Sequence, residues 1–403
     1  MSELKQKYNH VIVGGGIAAD KAARAIHSDA PEASIVIITE SEVGPFYLPS
    51  LTKDLWLDSS ATVEEQELGT AEIADVVTST TVTAIDPEQH TVTTQAGDTV
   101  AYDKLLLATG ATARPFPGSE SNPHTFTIRS AADYKALRAA VSEGTTVGVI
   151  GGGYISTEIA AGLSAANADV TIYFDGDVFL EHMFPKSITS HLTTVYKDKG
   201  IKLESGKFLD KLDTQDEKPT AIFQDGTSVT VDVLVLGLGA ELNTELAKEA
   251  GLELVDGAVK VDETLGTSAE DVYAAGDIAH FNDGLLGRRH VEHVAQAEGS
   301  GEAAGHNMVG NRTEYTDTPL FFSDLFDDGY EAVGVLSTKL DTKEVWNDDK
   351  SAAVVYYLDG DKVHGVLLWN TWDSVPDALK VLEASLKGEV KPEDLDSQIT
   401  PGD

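Results

Sequence analysis

The chain has 403 residues, which is enough for two or three domains with substantial cores. Its 29 basic and 67 acidic residues give a net charge of −38, and such a surface repels nucleic-acid phosphate and anionic lipid. The sequence contains no cysteine, which excludes disulfide frameworks, thiolate metal sites and redox mechanisms that use a thiol.

The chain begins with a polar stretch, "MSELKQKYNH", which has neither the apolar core of a signal peptide nor the Arg-rich pattern of a transit helix. No apolar run elsewhere approaches the roughly 20 residues that a membrane helix needs. We therefore expect a cytoplasmic protein without a membrane span.

The first structured segment, residues 10–23, reads "HVIVGGGIAADKAA" and predicts a buried strand, a tight turn and a helix. Gly14 and Gly16 would let the backbone approach a pyrophosphate at the helix N-terminus, and Ala19 is small enough for close packing on the strand. Glu40, at the end of the next strand, could accept hydrogen bonds from a ribose. This pattern favours a dinucleotide site, with a plain βαβ turn as the alternative.

A β-meander follows over residues 82–111, with turns at "DPEQ" and "AGD". The strand–glycine–helix pattern then returns as "VGVIGGGYISTEIA" at residues 147–160, with Gly151 and Gly153 in the turn and Ser156 at the small third position. Asp175 or Asp177 could contact a ribose after the next strand, which is predicted to end at Phe174. No Lys or Arg lies between Phe174 and Glu181 to bind a 2′-phosphate, and this favours NADH over NADPH.

The rest of the chain predicts a second meander over 207–240, a buried strand ending at Gly276–Asp277, and a β-hairpin over 353–370. Asp277 at the carboxyl edge of a strand stands where parallel sheets bind ligands, although a simple turn would also explain it. Two dinucleotide units in one chain indicate that electrons pass from one dinucleotide to the other.

The motifs together resemble the two-dinucleotide flavoprotein reductases, and within them the apoptosis-inducing factor and ferredoxin-reductase-like branch. The matching stretches are "VIVGGGIAAD", "YLPSLTKDLW", "LLLATGATAR", "VIGGGYISTEIA", "VYAAGDIAHF", "LGRRHVEH", "AAGHNMVG" and "FFSDLFDDGYEAVG". The resemblance implies an α/β fold with two Rossmann-like, glutathione-reductase-like domains and an α+β C-terminal domain. The expected ranges are 1–120 with 240–318 for FAD, 121–239 for NAD(H), and 319–403 for a domain covering the flavin.

The resemblance also implies which residues contact the cofactors. The expected FAD contacts are Gly14, Gly16, Ala18, Ala19, Glu40, Lys53, Val82, Ala108, Thr109, Gly110, Arg114, Asp277, Glu292 and His293. The expected nicotinamide side comprises Gly151, Gly153, Tyr154, Ile155, Glu158 and Gly239, with Asp175 at the ribose and Phe322 where the family usually has Trp. The family's Arg–Pro before the Lys is missing near Pro49, which leaves the loop over the FAD pyrophosphate in question.

Lys53, Glu158 and Tyr154 are the expected catalytic residues. By resemblance, Lys53 lies near the flavin N5 region, Glu158 holds Lys53 and meets the carboxamide end of NADH, and Tyr154 lies over the flavin ring. A buried charge needs such a partner.

The implied function is an FAD-dependent NADH oxidoreductase that passes electrons to a non-thiol acceptor, such as a quinone, oxygen, a dye or a protein carrier. The alternative is an NADH-responsive sensor or interaction protein with slow turnover. The expected partners are NADH, an unidentified electron acceptor and, for a homodimer, a second copy of the chain. We expect no metal and no nucleic acid, and we expect Arg288 and Arg289 to pair with carboxylates within the chain.

Overall fold

The structure is a computed structural model that describes residues 4–214 and 216–402. The chain divides into two compact units whose segments alternate along the sequence. Unit 1 comprises Met1–Leu48, Thr62–Thr112 and Glu241–Phe321, and unit 2 comprises Pro49–Ala61, Ala113–Ala240 and Phe322–Asp403. Among the described residues, no helix has the length and apolar character needed to cross a membrane.

The helices and strands follow in chain order. The part of the chain up to residue 113 contains β1 (Lys7–Val13), α1 (Ile17–Asp29), β2 (Ile35–Ile38), α2 (Asp54–Leu57), β3 (Asp75–Val77), β4 (Val82–Asp86), β5 (Thr91–Thr94), β6 (Thr99–Leu107) and β7 (Ala111–Ala113). The next segment contains β8 (Thr125–Phe126), α3 (Ala131–Ala140), β9 (Thr146–Ile150), α4 (Tyr154–Ala165), β10 (Asp169–Tyr173), α5 (Lys186–Asp198), β11 (Lys202–Glu204), β12 (Leu209–Asp213), β13 (Thr220–Phe223), β14 (Ser228–Thr230), β15 (Val233–Leu236) and β16 (Ala240–Leu242).

The return to unit 1 contains α6 (Glu245–Glu249), β17 (Leu254–Val255), β18 (Ala258–Lys260), β19 (Val272–Ala274), β20 (Ala279–Asp283), β21 (Gly287–Arg289) and α7 (Val294–Met308). The C-terminal segment contains β22 (Leu320–Leu325), β23 (Asp328–Gly334), β24 (Asp341–Trp346), β25 (Ala353–Asp359), β26 (Lys362–Trp369) and α8 (Val375–Lys387).

Unit 1 is built on a seven-stranded sheet in the order β3-β2-β1-β6-β5-β4, with β19 also paired to β6. Strands β3, β2, β1, β6 and β19 run parallel, and β4 and β5 form the predicted antiparallel meander with β6. The apolar run of β1 is buried because helices cover a parallel sheet. Helix α1 packs against α7 so closely that a Cβ at Gly301 would lie 2.8 Å from Ala18 Cα.

Unit 2 contains a parallel sheet in the order β11-β10-β9-β15-β8, with α4 crossing from β9 to β10. Strands β12, β13 and β14 form the predicted second meander. The C-terminal segment adds a sheet in the order β22-β23-β26-β25-β24, covered by α8. The predicted hairpin over 353–370 is confirmed, because β25 and β26 pair antiparallel up to Asp359 and Lys362.

Two predicted strand ends were wrong by one or two residues. Strand β2 ends at Ile38, so that Glu40 lies beyond it; the last parallel pair joins Val13 to Ile38, where β1 also ends. Strand β10 ends at Tyr173 rather than Phe174, because its register with β9 closes at Ile150. In both cases the strand ends where its parallel neighbour, β1 or β9, also ends.

The boundaries between the two units also differ from the predicted ranges. The chain leaves unit 1 at residue 112, returns at 241 and leaves again at 321, and Pro49–Ala61 belongs to unit 2. The C-terminal sheet and the second parallel sheet share one unit. Residues 1–3, 215 and 403 of the predicted ranges lie outside the described residues.

Candidate active site

The first glycine turn joins β1 to α1 and leaves open space at the helix N-terminus. Gly14 adopts a φ of 121°, and a Cβ there would collide with the backbone of Ala108 at the end of β6. Gly16 is the N-cap of α1; no side chain caps the helix, and a Cβ at Gly16 would meet no atom within 4 Å. Free N–H groups at a helix N-terminus favour an anion, so this turn can hold a phosphate group.

Three other segments of unit 1 meet around this turn. A Cβ at Gly276, which opens the turn containing Asp277, would lie 3.2 Å from the Ala18 Cβ. The Gly276 N–H donates to the Ser300 hydroxyl on α7 at 2.9 Å. Thr109, after β6, donates from its hydroxyl to the Asn243 carbonyl at 2.6 Å. The structure thus brings several of the predicted contact residues of unit 1 together.

The N-terminus of α7 carries a buried polar group that lacks a partner. Gln296 is fully buried, and its Oε1 accepts a hydrogen bond from the Tyr315 hydroxyl at 2.7 Å. Its Nε2 has no hydrogen-bond partner among the described residues. Nearby, His293 stacks on Phe321 with ring centroids 4.4 Å apart, and burial, followed by the charge of Arg289, lowers the His293 pKa to about 4. A buried amide donor without an acceptor in the protein can donate to a bound ligand or to an ordered water.

The second glycine turn, in unit 2, repeats the first. Gly151 adopts a φ of 117°, and a Cβ there would collide with the Gly237 carbonyl after β15. Gly153 is the N-cap of α4, no side chain caps it, and a Cβ would meet no atom within 4 Å. The buried Ser156 hydroxyl lies 3.4 Å from the Gly237 carbonyl. This turn can therefore hold a second phosphate group.

The loop after β10 is acidic and internally bonded. Asp175 and Asp177 are exposed, and the Glu181 carboxylate accepts the N–H groups of Asp177 and Val178, each at 3.1 Å. Lys207 lies beside this loop, because its backbone N–H donates to the Phe174 carbonyl at 2.7 Å, but its side chain donates to Asp225 at 2.7 Å. The loop thus presents carboxylates toward solvent.

Glu158 on α4 is the centre of a largely buried polar cluster in unit 2. Its Oε2 accepts the Thr52 hydroxyl at 2.7 Å, and its Oε1 accepts the Ser323 hydroxyl at 2.5 Å. Lys53 Nζ lies 3.4 Å from Oε1, and the two charged side chains are only 13% and 10% exposed. The predicted Lys53–Glu158 pair is therefore formed, although its residues are 105 positions apart.

Aromatic side chains border this pair. Lys53 Nζ lies 4.9 Å from the centre of the Phe322 ring, which is 38% exposed. Tyr154, one turn before Glu158 on α4, hydrogen-bonds to Tyr330 and has its pKa raised by burial. This shift makes ionisation of the Tyr154 phenol, which is already unfavourable near neutral pH, still less favourable. Ile155, beside it, is 39% exposed and offers an apolar surface.

The predicted cofactor contacts as a whole are distributed over both units. Unit 1 contains Gly14, Gly16, Ala18, Ala19, Glu40, Val82, Ala108, Thr109, Gly110, Asp277, Glu292 and His293. Unit 2 contains Lys53, Arg114, Gly151, Gly153, Tyr154, Ile155, Glu158, Asp175, Gly239 and Phe322. In unit 2 the Arg114 backbone N–H donates to the Gly239 carbonyl at 2.9 Å. This hydrogen bond joins the two ends of the segment Ala113–Ala240.

Of the two adjacent arginines, Arg289 has a carboxylate partner within unit 1, as predicted, whereas Arg288 bonds to a backbone carbonyl instead. Arg289 Nε lies 3.4 Å from Oδ2 of the fully buried Asp283. Arg288 donates to the Val261 carbonyl at 2.9 Å. The Arg288 side chain is exposed, so its charge is not buried in unit 1.

Several residues of the cluster escaped the sequence interpretation. Thr52 and Ser323 hold Glu158, and each is the direct neighbour of a residue that the motifs singled out, Lys53 and Phe322. Gln296, which lies in unit 1 outside this cluster, falls between the matched stretches "LGRRHVEH" and "AAGHNMVG". Hydroxyls and amides are too common in sequence for any of the three to stand out without a structure.

The comparisons with known proteins agree with this geometry. The family model described as pyridine nucleotide-disulphide oxidoreductase matches residues 8–301, and the model described as apoptosis-inducing factor, mitochondrion-associated, C-term matches residues 304–353. The chain belongs to the pyridine nucleotide-disulphide oxidoreductase family.

Individual relatives point to the same branch. Apoptosis-inducing factor 1, mitochondrial, of Dictyostelium discoideum is 30% identical over 93% of this chain and 78% of its own length. Putidaredoxin reductase of Pseudomonas putida is 31% identical over 89% of this chain and 87% of its own length. The crystal structure of a covalent putidaredoxin reductase–putidaredoxin complex has a TM-score of 0.85 at 27% identity, covering 97% of this chain and 96% of that chain.

As a member of this family, the chain is an FAD-dependent NAD(H) oxidoreductase. Its residues fit the two cofactors, because both glycine turns leave uncapped helix N-termini and Gln296 offers a buried donor without a partner. The family name refers to a disulphide, but this sequence has no cysteine. Electrons therefore leave through a non-thiol acceptor.

Proposed function

We propose that NADH is the electron donor of this oxidoreductase and that Lys53, Glu158 and Tyr154 act at its reacting end. The observation that carries the proposal is the Lys53–Glu158 pair, which is largely buried and held by two hydroxyls. A charge pair removed from water costs free energy unless it is well satisfied, so a largely buried pair of this kind supports a role in chemistry.

The chain's residues have distinct roles in this proposal. FAD, when bound, supplies the capacity to accept a hydride and to release electrons singly or in pairs. The Lys53 ammonium provides a fixed positive charge near the place where negative charge develops, and a preorganised charge of this kind lowers the barrier without rearranging water. Glu158 holds Lys53 in place and offers a carboxylate to the NADH carboxamide. Tyr154 and Ile155 provide the surface on which the nicotinamide stacks.

The residues proposed to hold the cofactors follow the two turns. Gly14, Gly16 and the N-terminus of α1 would hold the FAD pyrophosphate, with Gln296 as a donor to the flavin. Gly151, Gly153 and the N-terminus of α4 would hold the NADH pyrophosphate, with Asp175 at the ribose. Helix N-termini are suited to both groups.

We further propose that NADH is preferred over NADPH. A 2′-phosphate would face Asp175 and Asp177, while Lys207 is engaged by Asp225. The value of kcat/KM for NADH should exceed that for NADPH by on the order of 10-fold or more, which corresponds to about 1.4 kcal/mol. The Asp177→Arg variant should narrow this ratio by improving NADPH. Equal efficiency of the two donors in the unmodified protein would contradict the preference.

The acceptor is proposed to be a small molecule, such as a quinone, or a carrier that is not strongly acidic. An acidic ferredoxin would be repelled by a surface of net charge −38. The screening length is about 30 Å at 0.01 M salt and about 8 Å at physiological strength, so ferredoxin reduction should be slowest at low salt. NADH-driven reduction of an acidic ferredoxin across a salt series tests this. A fast rate at low salt that declines as salt is added would show attraction and overturn the proposal.

Reoxidation separates an enzyme from a sensor. We expect the NADH-reduced protein to return to its oxidised spectrum rapidly when a quinone or ferricyanide is added under anaerobic conditions. A reduced form that persists with every acceptor tried, and that changes its mass in light scattering, would support the NADH-responsive sensor and a regulated homodimer instead.

A further inference from the structure

We propose that Trp56 is a positioning residue that fixes Lys53 against Glu158, by anchoring the short segment Pro49–Ala61 to helix α4. The proposal rests on the proposed function of the Lys53–Glu158 pair and extends it to residues that touch neither charged group. Segment 49–61 interrupts unit 1 in the sequence, yet it belongs to unit 2. Something must therefore hold it there.

Trp56 provides the main anchor. It is 6% exposed, and its indole N–H donates to the Leu51 carbonyl at 2.9 Å, which closes the segment on itself. Its ring packs edge-on against Tyr134 of α3, with centroids 5.4 Å apart, and lies 5.5 Å from the Arg138 guanidinium. Burial of an aromatic side chain of this size is a strong local contribution to packing.

Helix α4 has a notch for Trp56. A Cβ at Gly162 would lie 2.8 Å from the Trp56 Cβ and 2.9 Å from its Cγ, so only glycine allows this approach. Gly162 is four residues after Glu158, and residues so spaced lie on the same face of a helix. One face of α4 thus carries both the carboxylate that holds Lys53 and the notch that holds Trp56.

The segment has a matching spacing. Lys53 is the N-cap of α2, and its carbonyl accepts the N–H groups of Trp56 at 2.9 Å and Leu57 at 3.1 Å. Lys53 and Trp56 are therefore joined by one helical turn. The segment is thus attached to α4 at two points, Lys53 at Glu158 and Trp56 at Gly162. Two points of attachment fix both the position and the direction of the segment.

A third attachment comes from α3. The Tyr134 hydroxyl, which is buried, donates to the Leu55 carbonyl at 2.7 Å. The chain is exposed from Leu57, the last residue of α2, to Ser60, and Leu57 itself is 61% exposed. Without these contacts the segment would gain conformational freedom, and a displacement of about 1 Å in a positioned catalytic group can cost on the order of 100-fold in rate.

The first experiment measures anaerobic reduction of the FAD-loaded protein by NADH in stopped flow. Trp56→Leu should slow reduction by on the order of 10-fold or more, approaching the rate of Lys53→Met, because it lets Lys53 move. Tyr134→Phe, which removes only one hydroxyl, should give a smaller loss in the same direction. The matched control is Phe223→Leu, which removes another buried aromatic ring of unit 2 in the β12–β14 sheet, and it should leave the rate unchanged.

The second experiment separates positioning from general loss of structure. In the Lys53→Met background, Trp56→Leu should cause no further loss, since there is no ammonium left to position. Hydrogen exchange should increase for the amides of Trp56, Leu57 and Asp58 in Trp56→Leu, with no change around β12–β14. Additive rate losses, or unchanged exchange in this segment, would overturn the role of Trp56.

The outcome for Lys53 distinguishes the two proposals. If Lys53→Met reduces as fast as the unmodified protein, the proposed function fails, whatever Trp56 does. If Lys53→Met is slow and Trp56→Leu is as fast as Phe223→Leu, the proposed function stands and the positioning role of Trp56 is wrong.

Discussion

Helices α1 and α4 follow equivalent glycine turns but bear different side chains at equivalent positions. Both helices start after an uncapped glycine, Gly16 or Gly153, beside open space. The fifth helical residue is Lys21 in α1, which makes a surface ion pair with Glu298 at 3.1 Å. In α4 the same position is Glu158, which is nearly buried and holds Lys53.

The buried faces of the two helices also differ in what they contact. Helix α1 presents alanines to α7, whose Gly301 and Gly305 allow the two helices to approach closely. Helix α4 uses its own glycine, Gly162, to receive a side chain from another segment. The same supersecondary unit thus allows close helix–helix packing in one case and holds the Lys53–Glu158 pair in the other. The glycine turn alone does not determine which of these roles a unit has.

The largest effect should come from the fifth position of α4. Glu158→Ala removes a preorganised carboxylate and leaves Lys53 without its partner, so reduction by NADH should slow on the order of 100-fold. The equivalent change in α1, Lys21→Ala, removes only an exposed charge and should leave the rate unchanged. Anaerobic stopped-flow measurements of both variants check this. Equal rates for the two variants would remove the distinction between the helices.

The next effect concerns the strands before the two turns. His10 on β1 is 6% exposed, and burial lowers its pKa from 6.5 to about 4; the nearby charges of Asp103 and Lys104 act in opposite directions. The equivalent residue of β9 is Val147, which is also buried. A base with a lower pKa in the folded state is protonated preferentially in the unfolded chain. Its contribution to stability is therefore complete above pH 6.5 and is lost as the pH falls toward 4.

The variant His10→Val should remove this part of the acid sensitivity. We expect it to raise the free energy of unfolding by about 3 kcal/mol near pH 4 relative to its effect at pH 8, since each pKa unit corresponds to about 1.4 kcal/mol. Chemical denaturation at both pH values measures the difference. A pH profile identical to that of the unmodified protein would show that His10 titrates normally.

A smaller loss of stability should follow from a substitution that prevents the close approach of α1 to α7. Gly301→Ala places a Cβ 2.8 Å from Ala18 Cα, and overpacking of this kind costs about 1–3 kcal/mol. Alanine recovers about 1 kcal/mol through helix propensity, so the net loss should be at most about 2 kcal/mol. Gly16→Ala is the control, because its Cβ meets no atom within 4 Å. It should preserve stability while weakening retention of FAD, and a matching stability loss in both variants would contradict this explanation.

The smallest effect should come from the third small position of the turns. Ala19 and Ser156 are equivalent and both fully buried, and the Ser156 hydroxyl lies 3.4 Å from the Gly237 carbonyl. Ser156→Ala should change the free energy of unfolding by no more than about 1 kcal/mol. A larger loss in thermal or chemical unfolding would mean that the hydroxyl has a role that its long contact distance does not explain.

The sequence predicted those parts of the fold that depend on local patterns. The glycine turns, the meanders and the hairpin over 353–370 have short-range signals in turn residues and alternation, and all of them were confirmed. The ends of β2 and β10 were missed because pairing with a central strand, rather than composition, ends them.

The site was predicted only where a motif or a family resemblance reached it. The Lys53–Glu158 pair came from resemblance, since nothing local connects two residues 105 positions apart. Thr52, Ser323 and Trp56 depend on packing between distant segments, which a single sequence does not record. The assignment of Pro49–Ala61 to unit 2 has the same origin.

The most direct test of the account is a double-mutant cycle on Lys53 and Glu158, measured as the rate of anaerobic FAD reduction by NADH. Glu158→Gln keeps a hydrogen-bonding side chain between Thr52 and Ser323 while removing the charge, and Lys53→Met keeps the length of the stem. If the two residues act as one unit, each single variant is slow and the double variant is hardly slower than either. Losses that simply add, or single variants as fast as the unmodified protein, would contradict the claim that the Lys53–Glu158 pair carries the reaction.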